Sequence, residues 1–569
     1  MARFPFHVVL PLRLTWTNRE HNRCQSCRTR RIKCDKVKPE CSQCRRVAKK
    51  CPGYRDQLSL MFRDETSKVV QKSHASWKTT SPDQAQQAHQ PSSESSAAST
   101  YSPWSSSSPS SSSSSDGHSP PARRSSTAVA LSRNPGATSP KIYMRVEPTI
   151  EQKGYRFFLD RYLLGQPDAP QNSEQLAAYA SGPDALQNVM VAVGLAGLSN
   201  TQGDRAMNNL SRQKYTDALR QTSQLIAAKP THPGAVMFPV RAVITLALFE
   251  IVQGGSSKLS TGTANIHIHG AIALLRGVLP IRTAPAGGVR GILQLMFSLF
   301  IPSQLTETPL PAVFFEALGF CKPALPVKEQ CCCDLAITIA RFLRVVSTLK
   351  TLKLTDGDIA TESIFQQLLE LDDIFEGLEV SLQAAYPFYV EEGDFPAAAV
   401  FQGKYHAYSE IWGARLWNHL RWARILVVQK LIDLSNECPV SGSVMLSKTR
   451  RDQCFGTAAR MAEDTITSTP SHWHHPMLDQ ASAKKFAAGG KGGSGGVGLP
   501  ALLWHLKIAG CAPGVPSEYW GWTYNLIQVV WKNMGMHHAL ALAEVMEGHR
   551  AGLEQQAIDR ILKKEDEDW

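Results

Sequence analysis

Six cysteines fall in one strict pattern, Cys24-x2-Cys27-x6-Cys34-x6-Cys41-x2-Cys44-x6-Cys51. Thiolates are strong zinc ligands, and a C-x2-C pair can offer two of them to one tetrahedral ion at about 2.3 Å. The pattern is two matched C-x2-C-x6-C halves set side by side. Two separate four-cysteine sites would need eight thiolates, and six are present. Two shared thiolates would give each of two zinc ions four sulfur ligands. Sharing would also join the halves where about 30 residues can bury little apolar core. A secreted disulfide scaffold shows similar cysteine density, but such proteins are short and carry a signal peptide. This chain has 569 residues.

Charge gathers on the same segment. Between Arg19 and Arg55 there are thirteen basic and three acidic residues, so this stretch holds ten of the chain's net twelve positive charges. Positive charge concentrated in this way is the footprint of a nucleic-acid contact surface. The Arg28–Lys33 run is expected to form one short helix. Its cationic face would meet phosphates and enter a major groove, where Arg or Lys commonly reaches O6 and N7 of guanine.

Residues 24–54, CQSCRTRRIKCDKVKPECSQCRRVAKKCPGY, closely resemble the DNA-binding domain of fungal binuclear zinc-cluster transcription factors. The six-cysteine spacing, the basic R-x-R-R-x-K run and the proline two places before the fourth cysteine all match. The resemblance implies two zinc ions bridged by Cys24 and Cys41. One zinc would take Cys24, Cys27, Cys34 and Cys41, and the other Cys24, Cys41, Cys44 and Cys51. Pro39 corresponds to the proline in the turn joining the halves. By the same resemblance Arg31, helped by Arg30, reads a CGG triplet. Arg28, Lys33 and Lys36 would sit against phosphates, contacts that position the domain without specifying sequence.

The elements that must carry this segment are organised in four stretches. Residues 1–18 read as a disordered leader: the apolar run there is short, is broken by Pro11 and Arg13, and lacks a small-residue cleavage site. Residues 19–70 form the zinc-cluster unit with a short linker. Leu58, Met61, Phe62 and Val69 supply too few heptads for a coiled coil, so the linker is a doubtful dimerisation element. Residues 71–142 form a Ser/Pro-rich linker. Within Pro91–Ser126, 19 of 36 residues are serine, too little apolar surface to offset the entropy of ordering. Ser81, Ser102, Ser108, Ser119 and Ser139 each precede a proline there, a pattern suited to proline-directed phosphorylation.

Residues 143–569 read as a large all-α domain. Leu186, Val189, Met190, Val193 and Gly197 recur at helical spacing after Ser181-Gly-Pro-Asp184. Tyr215, Ala218, Leu219, Thr222 and Ile226 make a second stripe, and Val240, Val243, Ile244, Ala247, Leu248 and Ile251 a third. Further helical stretches are expected over Asp334–Leu352, Ile364–Leu382, Tyr405–Asp433 and Trp520–Met546. Two-residue alternation is rare, so no sheet is expected. The stretches VEPTIEQKGYRFFLDRYL, ALQNVMVAVGLAGLSN, NIHIHGAIALLRG and ALLWHLKIAGCAPG resemble the helical regulatory region downstream of many such factors. No run reaches the ~18 apolar residues of a membrane span.

Little in this region points to catalysis. The Gly-rich stretch 489–498 lacks the order of a phosphate loop and reads as a flexible connection. Cys331, Cys332 and Cys333 point in different directions on a helix and seldom chelate one metal. His472, His474 and His475, with Asp479 nearby, and likewise His267 and His269, read as core or surface side chains. Leu371-Asp-Asp-Ile-Phe375 reads as part of an amphipathic helix, and the acidic end 565–569 as a solvating tail. No nucleophile-elbow, zincin or dinucleotide fingerprint occurs, so an enzyme is not expected.

The expectation is a nuclear, sequence-specific regulator of RNA polymerase II genes in a fungus, binding double-stranded DNA at CGG-containing promoter sites. It would carry two zinc ions, with coactivators and a second copy of itself as further partners and no membrane association. Control of a metabolic or secondary-metabolite gene cluster is implied by the resemblance alone. The alternative is a DNA-binding repressor or cofactor without strict sequence preference.

Overall fold

The computed structural model describes residues 24, 26–27, 30, 32, 34–35, 41–47, 51, 147–164, 170, 172–228, 233–254, 261–276, 286–486, 498–555 and 558. The leader, the Ser/Pro-rich linker, the four heptad candidates, residues 489–497 of the Gly-rich stretch and the acidic end lie outside these residues.

Among the described residues of the cysteine segment is α1 (Ser42–Arg46), capped by Cys41, whose sulfur accepts from the Cys44 amide. Arg45 and Arg46 occupy its last turn, where positive side chains face the carbonyl end of the helix favourably.

The helical region begins with α2 (Ile150–Phe158), opened by a capping box in which Thr149 and Gln152 satisfy each other's backbone amides. It packs on α3 (Asp184–Gln202), which α4 (Arg205–Ala227) and α5 (Pro233–Gln253) also flank. The expected stripe Leu186, Val189, Met190, Val193 and Gly197 is buried on α3, but so are Ala185, Ala192, Gly194, Leu195 and Ala196. A helix covered on this many sides must be approached closely, and glycine permits it. A Cβ at Gly194 would stand 1.8 Å from the Gly154 carbonyl oxygen of α2. His267 and His269 lie on α6 (Thr261–Arg276). His267 is buried, and His269 faces outward.

The middle of the chain adds α7 (Ala312–Ala324), α8 (Cys331–Thr351) and α9 (Ile359–Ala385). Leu371 and Phe375 point inward from α9 as expected, and so does Asp372. The core helix is α10 (Ile411–Glu437), buried along most of its length and flanked by α9, α11 (Lys448–Thr467) and α12 (Leu499–Gly510). Its buried charge is paired: Arg424 Nε donates to Asp372 Oδ1 at 2.8 Å, with both side chains 3% exposed.

Two expectations need correction. A two-stranded antiparallel sheet does occur, β1 (Phe388–Glu392) with β2 (Lys404–Tyr408), in the register Phe388↔Tyr408 to Glu392↔Lys404. The stretch read as helical from Tyr405 therefore starts as a strand, and α10 begins only at Ile411. The cause is aromatic cross-strand packing, with the Phe388 ring 4.3 Å from His406 and 5.5 Å from Tyr408. The stretch read as helical over Trp520–Met546 is two helices, α13 (Ser517–Met534) and α14 (His537–Arg550). Gly535 breaks it at φ 64°, a left-handed conformation that glycine adopts without strain. No helix among the described residues is long and apolar enough to cross a membrane.

Candidate metal centre

Each half of the cysteine segment closes the same small turn. The Cys27 amide donates to Cys24 Sγ at 3.4 Å, and the Cys44 amide donates to Cys41 Sγ at 3.4 Å. A C-x2-C pair in this turn points both sulfurs to one side. In the first half the Arg30 amide bonds the Ser26 carbonyl at 3.2 Å and the Ile32 amide the Cys27 carbonyl at 3.0 Å, which returns the chain toward Cys34. Asp35 ties the halves together, accepting from the Ser42 amide through both carboxylate oxygens at 3.1 Å. It caps the N-terminus of α1 in doing so.

All six cysteines are buried, and Ile32 packs against them. Their sulfurs form two groups of four, Cys24, Cys27, Cys34 and Cys41, and Cys24, Cys41, Cys44 and Cys51, each within 4.8 Å. Cys24 and Cys41 belong to both. The Sγ separations Cys24–Cys41, Cys24–Cys44 and Cys27–Cys41 are each 3.6 Å. Four sulfurs at 2.3 Å from one tetrahedral ion stand about 3.8 Å apart, so the spacing fits zinc. Among the described residues no other group of three metal-binding side chains stands close enough to share an ion.

The electrostatics point the same way. Burial raises the thiols of Cys24 and Cys27 and pushes that of Cys41 up to about 12. Neutral thiols would be the stable form of such a cluster without a cation. A divalent ion reverses that balance by displacing the protons, which makes ion binding part of the folding energy. Bound zinc would be held by these six sulfurs in a structural role.

Of the DNA-contact candidates, Arg30 is described and is exposed, as are Arg45 and Arg46. Arg28, Arg31, Lys33, Lys36 and Pro39 lie outside the described residues. Sequence reasoning missed Asp35 and Ile32. A carboxylate seven residues before the amide it caps has no spacing signature, and one isoleucine carries no periodicity.

Of the residues weighed elsewhere for chemistry, His267, His475 and the cysteines at 331–333 are buried core components, whereas His269 and Asp479 are exposed. Asn418 Nδ2 pairs with His472 Nε2 at 2.9 Å, and Trp473 and His475 are buried. Cys331, Cys332 and Cys333 occupy the first turn of α8, all buried.

Residues 23–60 match the family described as the fungal Zn(2)-Cys(6) binuclear cluster domain. No curated protein and no solved structure matches the chain. The cysteine spacing, the two thiol sets joined through Cys24 and Cys41 and this match together make residues 23–60 a Zn(2)-Cys(6) binuclear cluster domain whose six cysteines are arranged for two zinc ions.

Proposed function

We propose that the chain is a sequence-specific regulator of RNA polymerase II transcription, acting in the nucleus and reading CGG-type half-sites. The observation that supports this most is the fixing of a basic segment by the metal centre. Cys27 and Cys34 anchor both ends of the run that contains Arg28, Arg30, Arg31 and Lys33, and Arg30 is exposed between them. In this reading Arg31, with Arg30 beside it, makes the bidentate contact to guanine. Arg28, Lys33 and Lys36 hold phosphates. Residues 19–70 are the DNA-binding unit, 71–142 a linker and 143–569 the regulatory unit, through which coactivators and a second copy would act on a metabolic or secondary-metabolite gene cluster.

The test is a titration of the zinc-loaded chain against duplexes with intact or scrambled CGG triplets, with and without chelator. The expected result is tighter, chelator-sensitive binding to the intact triplet. Equal affinity for both duplexes would replace this reading with that of a repressor or cofactor lacking sequence preference.

A further inference from the structure

Strand β1 forms an open edge of the two-stranded sheet. Every residue after Phe388 in it is exposed, Tyr389 at 67% and Val390 at 57%. The Gly393 amide donates to the Gly403 carbonyl at 2.9 Å, one step beyond the pair Glu392↔Lys404. Bonded pairs alternate along an antiparallel ladder, so Tyr389 and Glu391 turn their backbone groups toward β2. Those of Val390 and Glu392 point the other way, and no backbone hydrogen bond joins them to another element among the described residues. The outer edge of β2 differs, since the Ser471 hydroxyl donates to the His406 carbonyl there.

An exposed edge of unpaired amides and carbonyls is a template for a further strand. The side chains say what that strand must carry. Tyr389 and Val390 offer apolar contact on opposite faces of the sheet. Glu391, Glu392 and Asp394 follow, all exposed. Lys404 stands 4.0 Å from Glu392 and offsets one of these charges. The Tyr405 hydroxyl donates to Glu391 and leaves its charge in place. A second copy pairing through β1 would bring two acidic runs together, whereas a basic strand would be attracted by them.

We propose that β1 docks an extended basic peptide segment of a partner protein by antiparallel strand addition. The outward N–H and C=O of Val390 bond the incoming strand. Two adjacent basic residues of the partner lie opposite Glu392 and Glu391, and two apolar residues follow opposite Val390 and Tyr389. The edge belongs to the helical region, and this docking does not depend on whether the metal centre reads CGG.

The test uses the full, zinc-loaded chain and the end-capped peptide Thr-Arg-Lys-Val-Tyr-Thr, titrated by calorimetry. Saturable binding is expected, with slowed amide hydrogen exchange in the segment 388–394. Replacing Arg-Lys by Glu-Glu should abolish it. Two further changes leave the charges untouched. Methylating the peptide's valine nitrogen removes the N–H that reaches the Val390 carbonyl. Val390→Pro removes the outward N–H at an edge position where proline is accepted. Each should weaken binding about tenfold or more, with the urea midpoint of the variant near that of the parent. The methylated peptide decides the matter without altering the protein. Binding that survives both changes, or that is equal for the acidic and basic peptides, would overturn the proposal. So would an absence of binding, or a dimer in sedimentation that Val390→Pro dissociates, which would make the occupant a second copy.

Discussion

Cys24 Sγ and Cys41 Sγ lie 3.6 Å apart across 17 residues of chain, and each belongs to both groups of four thiols. The two halves therefore do not have separable metal sites. Cys24→Ser removes a ligand from both zincs, whereas Cys51→Ser removes one from the second zinc alone. Native mass spectrometry at neutral pH should find that Cys51→Ser keeps about one zinc per chain and Cys24→Ser close to none. Equal zinc content in the two variants would contradict the shared arrangement.

The basic run between Cys27 and Cys34 leads to a second contrast. Arg31→Ala should cost about 1–3 kcal/mol on CGG-containing DNA and relax the preference for that triplet. Lys36→Ala should weaken intact and scrambled duplexes alike and flatten the salt dependence. Fluorescence anisotropy on both duplexes at two salt concentrations reads each effect. If the two variants behave alike, the division between base and phosphate contacts is wrong.

The glycines of the helix crossings give a stability test. A Cβ at Gly194 would meet the Gly154 carbonyl oxygen, a backbone atom, at 1.8 Å, so α2 and α3 must separate to admit it. Gly194→Ala should cost about 1–3 kcal/mol, as overpacking does. Gly377 lies within α9, and a Cβ there would meet nothing within 4 Å. Gly377→Ala should be neutral or stabilising by up to about 1 kcal/mol, because alanine loses less backbone entropy in a helix. Urea unfolding of the two variants beside the parent decides it, and a similar loss in both would remove the close crossing as the cause.

How much of this was legible in sequence depends on whether the cause was local. The six cysteines were readable because metal geometry imposes fixed spacing, and the thiol count alone required sharing. The α3 stripe was readable because one face of a helix repeats every three to four residues. Burial of Gly194 was not, because it depends on Gly154, forty residues earlier. The hairpin was missed for a related reason: Tyr405 and Tyr408 suit a helix face as well as a strand, and Phe388 on the partner strand decides between them. The pairing of Arg424 with Asp372 was equally hidden. In sequence, Asp372 reads as the polar side of an amphipathic helix, and only the buried guanidinium of α10 turns it inward.

A final pairing, between α12 and the segment after α14, carries a pH dependence. Lys507 is a nearly fully buried cation whose ammonium bonds the Glu554 carboxylate, and His549 bonds the other oxygen of the same group. Burial alone would raise the Glu554 carboxyl. The His549 hydrogen bond and the Lys507 charge outweigh it and hold the group down to about 2, against an ordinary value of 4.5. A carboxyl depressed by folding stabilises the folded state fully above its unfolded value. That contribution fades as pH falls through the window from 4.5 toward 2, and its size is up to about 3 kcal/mol. Glu554→Gln removes the titration and leaves Lys507 buried without its counter-charge, so the variant should be less stable at neutral pH. The gap between parent and variant, measured by urea unfolding at several pH values, should be full above about pH 5 and narrow steadily on acidification. A gap that stays constant from about pH 6 to about pH 3 would mean that the pairing does not set the carboxyl's ionisation.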